Sequence, residues 1–334
     1  MNWALIGAST IASQFMITAL RAQSGGAVGW VISGSASRAA DYAAQHGIAK
    51  SGTDIADALA DPTVDAVYIS STNEKHFAQA MAAIAAGKHV LCEKPLAMTL
   101  DQARAMVEAA ETAGVVFAAN HHLRCSGSHR AVRDLIKSGR IGDVLSVRIH
   151  HAVYLPENLQ GWRINSADAG GGVVPDITVH DADVARFLLG EDPVSVVAQV
   201  SVSGMGQGVE DSAMSVWNMP SGVMVMSHES FTHPFAGSGL EVHGTKGSIF
   251  ARGVMTQKPV GEIELVTKAG PEAVLFEVYD LYSFGVARFS KAVAGNGRPA
   301  AGGWDGVKSL AVALAVRDAA ASGIRVHVNY GDVG

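Results

Sequence analysis

The chain has 334 residues, a length that favours two domains, and a formal net charge of −6 without any run of basic residues. This charge excludes the cationic surface that nucleic acids and anionic membranes require, so we expect neither as a partner. The sequence has only two cysteines, too few for a disulfide scaffold, and no apolar run long enough to span a membrane. The first residues are typical of a buried strand and not of a signal peptide, so we expect a cytoplasmic protein.

Short apolar segments alternate with Ala-rich helical segments over the first 120 residues. This alternation predicts βαβ units and a parallel sheet that is buried on both faces. The predicted strands are 3–6, 28–32, 66–69, 89–91 and 115–117. The predicted helices are 11–21, 38–46, 77–86 and 101–113, with Thr99 as N-cap and Gly114 as stop of the last one.

The pattern changes after Asn120, where strands begin to follow one another. We predict helices at 129–137, 176–189, 281–293 and 305–321, and a polar, glycine-rich loop over 156–172. The predicted strands are 144–154, 194–202, 213–218, 223–227 and 240–243. The sequence therefore predicts an α/β protein with a Rossmann dinucleotide-binding domain over 1–120. An α+β domain with an open, mostly antiparallel sheet follows over 121–334.

The segment between the first strand and the first helix is similar to the dinucleotide-binding pattern G-x-G-x-x-[G/A]. Gly7 and Ala12 occupy the first and last positions, while Ser9 replaces the middle glycine. The glycine permits a tight turn, and the free N–H groups of a helix N-terminus bind a pyrophosphate. An ordinary strand–helix turn is the alternative. The position in the chain favours cofactor contacts at Gly7, Ser9, Thr10, Ile11 and Ala12.

The segment after the second strand indicates which dinucleotide binds. Enzymes that prefer NAD place a carboxylate there to hold the ribose 2′-hydroxyl, and residues 31–38 contain none. Ser33 and Arg38, with Gly34 between them, can instead bind a 2′-phosphate by hydrogen bonds and a bidentate ion pair. The alternative for Arg38 is a solvated helix residue. We expect NADP(H) as the cofactor.

Three further motifs carry a family resemblance. They are Glu93-Lys94-Pro95 after a predicted strand, Ser71-Thr72-Asn73 followed by His76, and the glycine-rich segment 170–181. The chain resembles the glucose–fructose oxidoreductase/inositol dehydrogenase/MocA family over essentially its whole length. The resemblance implies a sugar site in a cleft between the two domains. It also implies cofactor contacts at Ser71, Thr72, Asn73, His76, Glu93, Lys94, Asn120, Trp162, Arg163 and Tyr282.

The segments 120–124, 151–156 and 159–163, and the serine in the phosphate loop, are most similar to a bacterial member of this family. This resemblance implies NADPH-dependent reduction of a sugar ketone, with 1,5-anhydro-D-fructose converted to 1,5-anhydro-D-mannitol. Another sugar or inositol dehydrogenase and a catalytically silent NADP(H)-binding sensor are the alternatives. A monomer and a homodimer are equally compatible with the sequence.

The candidate catalytic residues are Lys94, Asp176 and His180. Asp176 and His180 are four residues apart and share a helix face, and Lys94 follows a parallel strand, where ligands bind. We assign His180 as general acid because the unperturbed pKa of histidine lies near physiological pH. Lys94 stabilises the oxyanion, and these two roles can be exchanged. The predicted substrate contacts are Lys94, Tyr154, Trp162, Arg163, Asp176 and His180, although Tyr154 and Tyr282 could simply pack.

Thirteen histidines raise the question of a metal. The pairs 121–122 and 150–151 are adjacent residues, which point to opposite faces of a strand and do not share one ion. No zinc-binding spacing occurs, so we expect no metal. A site made by Asp176, His180 and Asp183 is the alternative.

Overall fold

The computed structural model describes residues 1–331, and the chain divides into two compact units. Unit 1 comprises Met1–His122 and Tyr282–Val307, and unit 2 comprises Leu123–Leu281 and the chain from Lys308 onward. The division predicted after residue 120 lies close to the first crossing between units. Residues 282–307 differ from the prediction, which placed them in the second domain, because they return to unit 1.

Unit 1 contains a six-stranded parallel sheet in the order β3-β2-β1-β4-β5-β6. This order and the parallel pairing confirm the predicted Rossmann domain. The strands are β1 Asn2–Ile6, β2 Ala27–Ile32, β3 Lys50–Gly52, β4 Ala66–Ile69, β5 His89–Cys92 and β6 Phe117–Ala119. β3 was not predicted, because the sequence Lys-Ser-Gly has no apolar pattern.

The four predicted helical segments of unit 1 follow strands as expected, and a further short helix after β3 was not predicted. A π-helical turn, Ala12–Met16, continues into α1, and Thr99 caps α5 by accepting the Gln102 N–H at 3.3 Å. Gly114 ends α5 in the left-handed conformation at φ +67°, a common helix stop. The helices are α1 Ile17–Arg21, α2 Ala36–His46, α3 Ile55–Leu59, α4 His76–Ala85 and α5 Leu100–Ala113.

Unit 2 is built on a nine-stranded sheet in the order β14-β13-β12-β11-β7-β10-β9-β8-β15. Only β7 and β10 pair in parallel, which confirms the predicted mostly antiparallel sheet. The strands are β7 Val144–Ala152, β8 Ser195–Ser201, β9 Ser212–Asn218, β10 Met224–Ser230, β11 Ser238–Gly244, β12 Gly247–Arg252, β13 Glu262–Thr267, β14 Gly270–Ala273 and β15 Val326–His327.

Three helices of unit 2 matter for the site: α6 Gly127–Lys137, α7 Glu157–Asn165 and α8 Val179–Leu189. α8 follows a π-helical turn, Val174–Thr178, and all of its residues except the last are buried. The loop predicted over 156–172 was wrong where α7 forms. α7 lacks a continuous apolar face, and Gly161 interrupts it at φ 32°, ψ −129°, so no helical periodicity marks it.

The chain returns to unit 1 through α9, Leu281–Val293, and the start of α10, Gly303–Ser322. Phe289 packs on Trp3 of β1 with ring centroids 5.3 Å apart. A Cβ on Gly303 would lie 2.7 Å from Phe117, so this glycine allows α10 to approach β6. These contacts explain why a C-terminal segment belongs to the N-terminal unit. Within residues 1–331, no helix is both long and apolar enough to cross a membrane.

Candidate active site

The predicted cofactor residues of unit 1 lie along one edge of the parallel sheet. The residue after each of five strands donates its backbone N–H to the last carbonyl of a neighbouring strand, over 2.8–3.0 Å. These residues are Gly7, Ser33, Ser70, Glu93 and Asn120. The carboxyl ends of the strands therefore form one continuous rim, which is the position where ligands bind to open α/β sheets.

Gly7 is the residue of this rim that tolerates no side chain. Its φ is +116°, and a Cβ would lie 2.8 Å from the backbone of Ser70 and Ser71. The turn after β1 therefore passes against the end of β4. The close approach keeps the following N–H groups at the N-terminus of the helix that begins near Ile11 and Ala12, where a pyrophosphate can bind.

Ser9, which replaces the middle glycine, is held by three contacts. Its hydroxyl accepts the Ala12 N–H at 3.2 Å and lies 2.7 Å from the Ser70 hydroxyl. The Tyr42 hydroxyl donates to its carbonyl at 2.9 Å. The serine side chain thus caps the first helical turn. The loop keeps its shape although the glycine is absent.

Arg38 lies over the same loop. Its Nη2 donates to the Ala8 carbonyl at 2.7 Å, while Ser35, the N-cap of α2, accepts the Arg38 N–H at 3.4 Å. A Cβ on Gly34 would meet no atom within 4 Å, so the turn beside Ser33 is open. Arg38 is exposed to solvent, and one N–H of its guanidinium group is bound to the phosphate loop.

His76 is fully buried and joins two loops of unit 1. Its Nδ1 lies 2.8 Å from the Pro95 carbonyl, and its Nε2 lies 3.2 Å from the Ser71 carbonyl. Burial lowers the pKa of His76, and the two carbonyl oxygens oppose this shift. Its position makes His76 a support for the Ser71 and Pro95 loops. Of the neighbouring predicted residues, Asn73 is buried, and the Thr72 hydroxyl donates to Glu74 at 2.7 Å.

Glu93 occupies the rim directly before Lys94. It accepts hydrogen bonds from the Tyr68 hydroxyl at 2.5 Å and from Asn120 Nδ2 at 2.6 Å. Burial raises the pKa of Glu93, and these two donors oppose the rise. Tyr68 and Asn120 thereby fix the side chain that precedes Lys94, the predicted catalytic lysine.

Tyr282 is buried and stacks with two rings of unit 1. Phe15 lies 5.0 Å away and His122 lies 5.2 Å away, with interplanar angles of 22° and 19°. Tyr282 therefore packs against protein, and its cofactor contact stays a prediction.

In unit 2, Asp176 forms an ion pair with Arg163, whose Nε lies 3.3 Å from Oδ2. The Arg163 guanidinium group also lies 4.7 Å from the centre of the Trp162 ring. Three residues that the sequence singled out separately are thus joined into one cluster. It connects α7, the region predicted as loop, to the turn before α8.

A glycine pair holds this cluster against the rest of unit 2. The Gly172 N–H donates to the Arg163 carbonyl at 2.8 Å, and a Cβ on Gly172 would lie 2.5 Å from the Glu210 carboxylate. Arg317 binds both Glu210, at 3.3 Å, and the Gly171 carbonyl, at 3.4 Å. Glu210 and Arg317 therefore act as a brace for the turn that carries Asp176.

His180 lies in the first turn of α8 and is largely buried. Its ring centre is 6.3 Å from that of His151 on β7. Tyr154, a predicted substrate contact, follows β7, pairs with Thr232 and is 51% exposed. Unit 2 thus brings together Asp176, Arg163 and Trp162 in one cluster and His180 and His151 in another.

The metal alternative receives no support from these contacts. The Asp183 carboxylate is engaged by Arg124 Nε at 2.6 Å. Within the described chain, no group of three or more His, Cys, Asp or Glu side chains is arranged to hold a metal ion. Cys92 and Cys125 are buried free thiols, and burial raises the pKa of Cys92.

Sequence reasoning missed several residues that support the site: Tyr42, Tyr68, Ser70, Glu210 and Arg317. Ser70 and Tyr68 had a detectable signal, because both belong to the apolar segment that precedes the motif Ser71-Thr72-Asn73. Glu210 and Arg317 had none, because each is an isolated charge far along the chain from Asp176.

Comparisons with known proteins agree with both units. Residues 1–121 match the model of an oxidoreductase family with an NAD-binding Rossmann fold. Residues 129–250 match the model of the GFO/IDH/MocA C-terminal domain.

The chain is similar to proteins of sugar metabolism over nearly its whole length. It is 53% identical over 331 residues to the 1,5-anhydro-D-fructose reductase of Ensifer adhaerens, covering 99% of each chain. It is 30% identical over 278 residues to the myo-inositol 2-dehydrogenase of Thermotoga maritima, covering 81% of this chain and 82% of that one. The crystal structure of the aldose-aldose oxidoreductase from Caulobacter crescentus with glycerol has a TM-score of 0.89 and 26% identity, covering 98% of this chain and 99% of that chain.

Proposed function

We propose that this chain, which belongs to the GFO/IDH/MocA family of oxidoreductases, reduces the ketone of 1,5-anhydro-D-fructose to give 1,5-anhydro-D-mannitol, with NADPH as hydride donor. The observation that carries this proposal is the 53% identity to the Ensifer adhaerens reductase over 99% of both chains. The aligned region includes the cofactor rim of unit 1 as well as the Asp176 and His180 clusters of unit 2.

The rim of unit 1 fits a dinucleotide with a 2′-phosphate. Gly7 leaves no room for a side chain between the phosphate loop and the end of β4, as the tight turn at the first glycine of the dinucleotide-binding motif requires. Arg38 donates one N–H to the Ala8 carbonyl, and its remaining N–H groups can bind the 2′-phosphate together with the Ser33 hydroxyl. Residues 31–38 contain no carboxylate that would repel this phosphate.

The other predicted residues divide the reduction between them. The bound dihydronicotinamide supplies the hydride that adds to the carbonyl carbon. The Lys94 ammonium group stabilises the negative charge that develops on the carbonyl oxygen, and His180 transfers a proton to that oxygen, so that the ketone becomes an alcohol. Asp176, oriented by its ion pair with Arg163, accepts a hydrogen bond from a sugar hydroxyl. Lys94 and His180 can exchange the stabilising and proton-donating roles.

A substrate panel tests the proposal. NADPH and NADH oxidation is measured with 1,5-anhydro-D-fructose, other cyclic ketoses and osones, and the reverse reaction with myo-inositol. We expect the highest kcat/KM with the anhydroketose and NADPH, and 1,5-anhydro-D-mannitol as the product by chromatography. Activity on an inositol without any on the anhydroketose would overturn the proposed substrate. Tightly bound nucleotide without turnover of any sugar would indicate the sensor.

A further inference from the structure

Four polar side chains form a hydrogen-bonded network in the core of unit 2, near His180. The Ser227 hydroxyl lies 2.6 Å from Glu229 Oε1 and 3.1 Å from Asp181 Oδ2, and Asp181 Oδ1 lies 3.2 Å from His151 Nδ1. The side chains come from three elements: β10, α8 and β7. Ser227, Glu229 and Asp181 are completely buried, and the His151 side chain is 14% exposed.

The Ser227 hydroxyl faces two carboxyl groups. A serine hydroxyl has a single hydrogen, so Ser227 can donate to only one of them at a time. Both contacts are full hydrogen bonds only when one of the two acids, Asp181 or Glu229, is protonated.

Glu229 is the acid of this pair whose surroundings oppose ionisation more. Its Oε2 is buried, which is costly for an ionised carboxylate, and the nearby Thr178 and Ser227 hydroxyls oppose this effect only in part. Burial and the neighbouring Asp181 carboxylate raise the pKa of Glu229 well above its usual range. Asp181, in contrast, accepts from two donors, His151 and Ser227, as an ionised carboxylate does.

The direction of these bonds fixes the hydrogens of His151. Ser227 supplies its single hydrogen to the two carboxyl groups, and His151 Nδ1–H donates to the Asp181 carboxylate. A neutral imidazole with its hydrogen on Nδ1 presents Nε2 as an acceptor. Among the four residues of this network, His151 has the accessible side chain, and it lies beside His180.

We propose that this hydrogen-bonded network makes His151 a substrate-binding residue. Asp181 fixes its imidazole as the Nδ1–H tautomer, and its Nε2 accepts a hydrogen bond from a sugar hydroxyl beside His180. The inference rests on the proposed function for the identity of the sugar. It assigns Asp181, Ser227 and Glu229 as positioning residues, which act through His151 and do not touch the substrate.

The first test separates the two nitrogens of His151. An asparagine at this position keeps a donor for Asp181 but has no atom to replace Nε2. We expect His151→Asn to raise the KM for the sugar about tenfold, the size of one lost hydrogen bond, with a smaller change in kcat and none in the KM for NADPH. A sugar KM within about twofold of the wild-type value would overturn the proposal.

His150→Asn is the matched control. His150 is the adjacent residue of β7, and its side chain points to the opposite face of the sheet. It is paired with Gly239 of β11, where an added Cβ would lie 3.1 Å from the His150 ring. This variant makes the same chemical change one residue away and leaves the sugar KM unchanged.

The second test needs no substrate and therefore distinguishes a failure of this inference from a failure of the proposed function. Long-range ¹H–¹⁵N spectra of histidine-labelled wild-type protein, assigned with His151→Asn, report the tautomer. We expect the Nδ1–H form for His151, and the Nε2–H form would overturn the inference even if the anhydroketose is the substrate. If the panel identifies another sugar, the KM comparison uses that sugar.

The third test locates the proton. A glutamine imitates a protonated glutamate, so Glu229→Gln keeps the melting temperature and the His151 tautomer near those of the wild type. Asp181→Asn removes the ionised acceptor of two donors and lowers the melting temperature by several degrees. An equal loss in both variants would show that the proton does not lie on Glu229.

Discussion

The candidate residues of the two units are positioned in different ways. In unit 1, the backbone positions the site: five strand ends lie in one row because main-chain hydrogen bonds of 2.8–3.0 Å hold them there. In unit 2, side chains position the site. Asp176 is held by Arg163, Glu210 by Arg317, and His151 by Asp181, each through a charged or polar pair from another element.

This difference teaches what a substitution does in each half. The rim of unit 1 keeps its shape when a side chain such as Arg38 is shortened, so affinity and cofactor preference change while the fold remains. A polar pair of unit 2 is partly or fully buried, so the loss of one partner leaves the other without its hydrogen bond. The four predictions that follow test this contrast, beginning with the largest effect.

His180→Ala tests whether unit 2 supplies the proton. Because a positioned general acid contributes about 10²- to 10⁴-fold to a rate, we expect kcat to fall within this range. The KM for NADPH stays unchanged, since His180 is not one of the predicted cofactor contacts. Single-turnover measurements with excess enzyme report the chemical step directly. A decrease of only a few-fold would assign the proton transfer to Lys94.

Gly7→Ala tests the backbone-built rim where a side chain is not tolerated. The added Cβ would lie 2.8 Å from the backbone of Ser70 and Ser71 at a φ of +116°. We expect a loss of about 3 kcal/mol or more in unfolding free energy, together with weaker NADPH binding by fluorescence titration. In Gly52→Ala the nearest contact is 3.5 Å, so this control remains close to wild type. Equal stability of the two variants would contradict the close approach.

Arg38→Ala tests the cofactor preference at the rim. A charge-assisted hydrogen bond contributes about 1.5–3 kcal/mol, so we expect the KM for NADPH to rise about 10- to 100-fold while the KM for NADH changes little. Arg21→Ala is a matched control at the other end of α2, where Arg21 donates to the His46 and Gly47 carbonyls. Equal losses with both cofactors would show that Arg38 does not bind a 2′-phosphate.

The pH dependence of stability tests the neutral core of unit 2. Burial lowers the pKa of His129 from 6.5 to about 3. Below pH 6.5 this histidine is therefore protonated in the unfolded chain, whereas in the folded protein it stays neutral down to about pH 3. The stability contributed by this residue is therefore present above pH 6.5 and is lost as the pH falls. Compared with His129→Gln, the wild type should lose up to about 1.4 kcal/mol more per pH unit in this range, measured by urea unfolding. Parallel pH profiles would contradict a neutral His129.

The sequence predicted features that local patterns specify better than features that depend on contacts between distant residues. β4 and α9 were predicted with their exact observed bounds, and Thr99 caps α5 as expected, because local patterns specify strands and caps. α7 was missed, because its interrupted helix carries no periodic apolar face. His76 and Tyr282 were predicted as cofactor contacts, and the structure adds protein contacts of unit 1 for both, while the cofactor contacts stay predictions. A motif names a residue but does not say whether its side chain touches a ligand or a neighbouring loop.

The sequence by itself determined the parallel and antiparallel sheets, the phosphate loop at Gly7, and the catalytic candidates Lys94, Asp176 and His180. These features depend on residues close together in the chain. Only the tertiary structure decided that residues 282–307 return to unit 1, that Arg317 braces the turn before Asp176, and that Glu229, Ser227, Asp181 and His151 form one chain. The reason is physical: hydrogen bonds such as those of His151 with Asp181, 30 positions apart, and of Arg317 with Gly171, 146 positions apart, depend on how elements pack, and no local pattern records that packing.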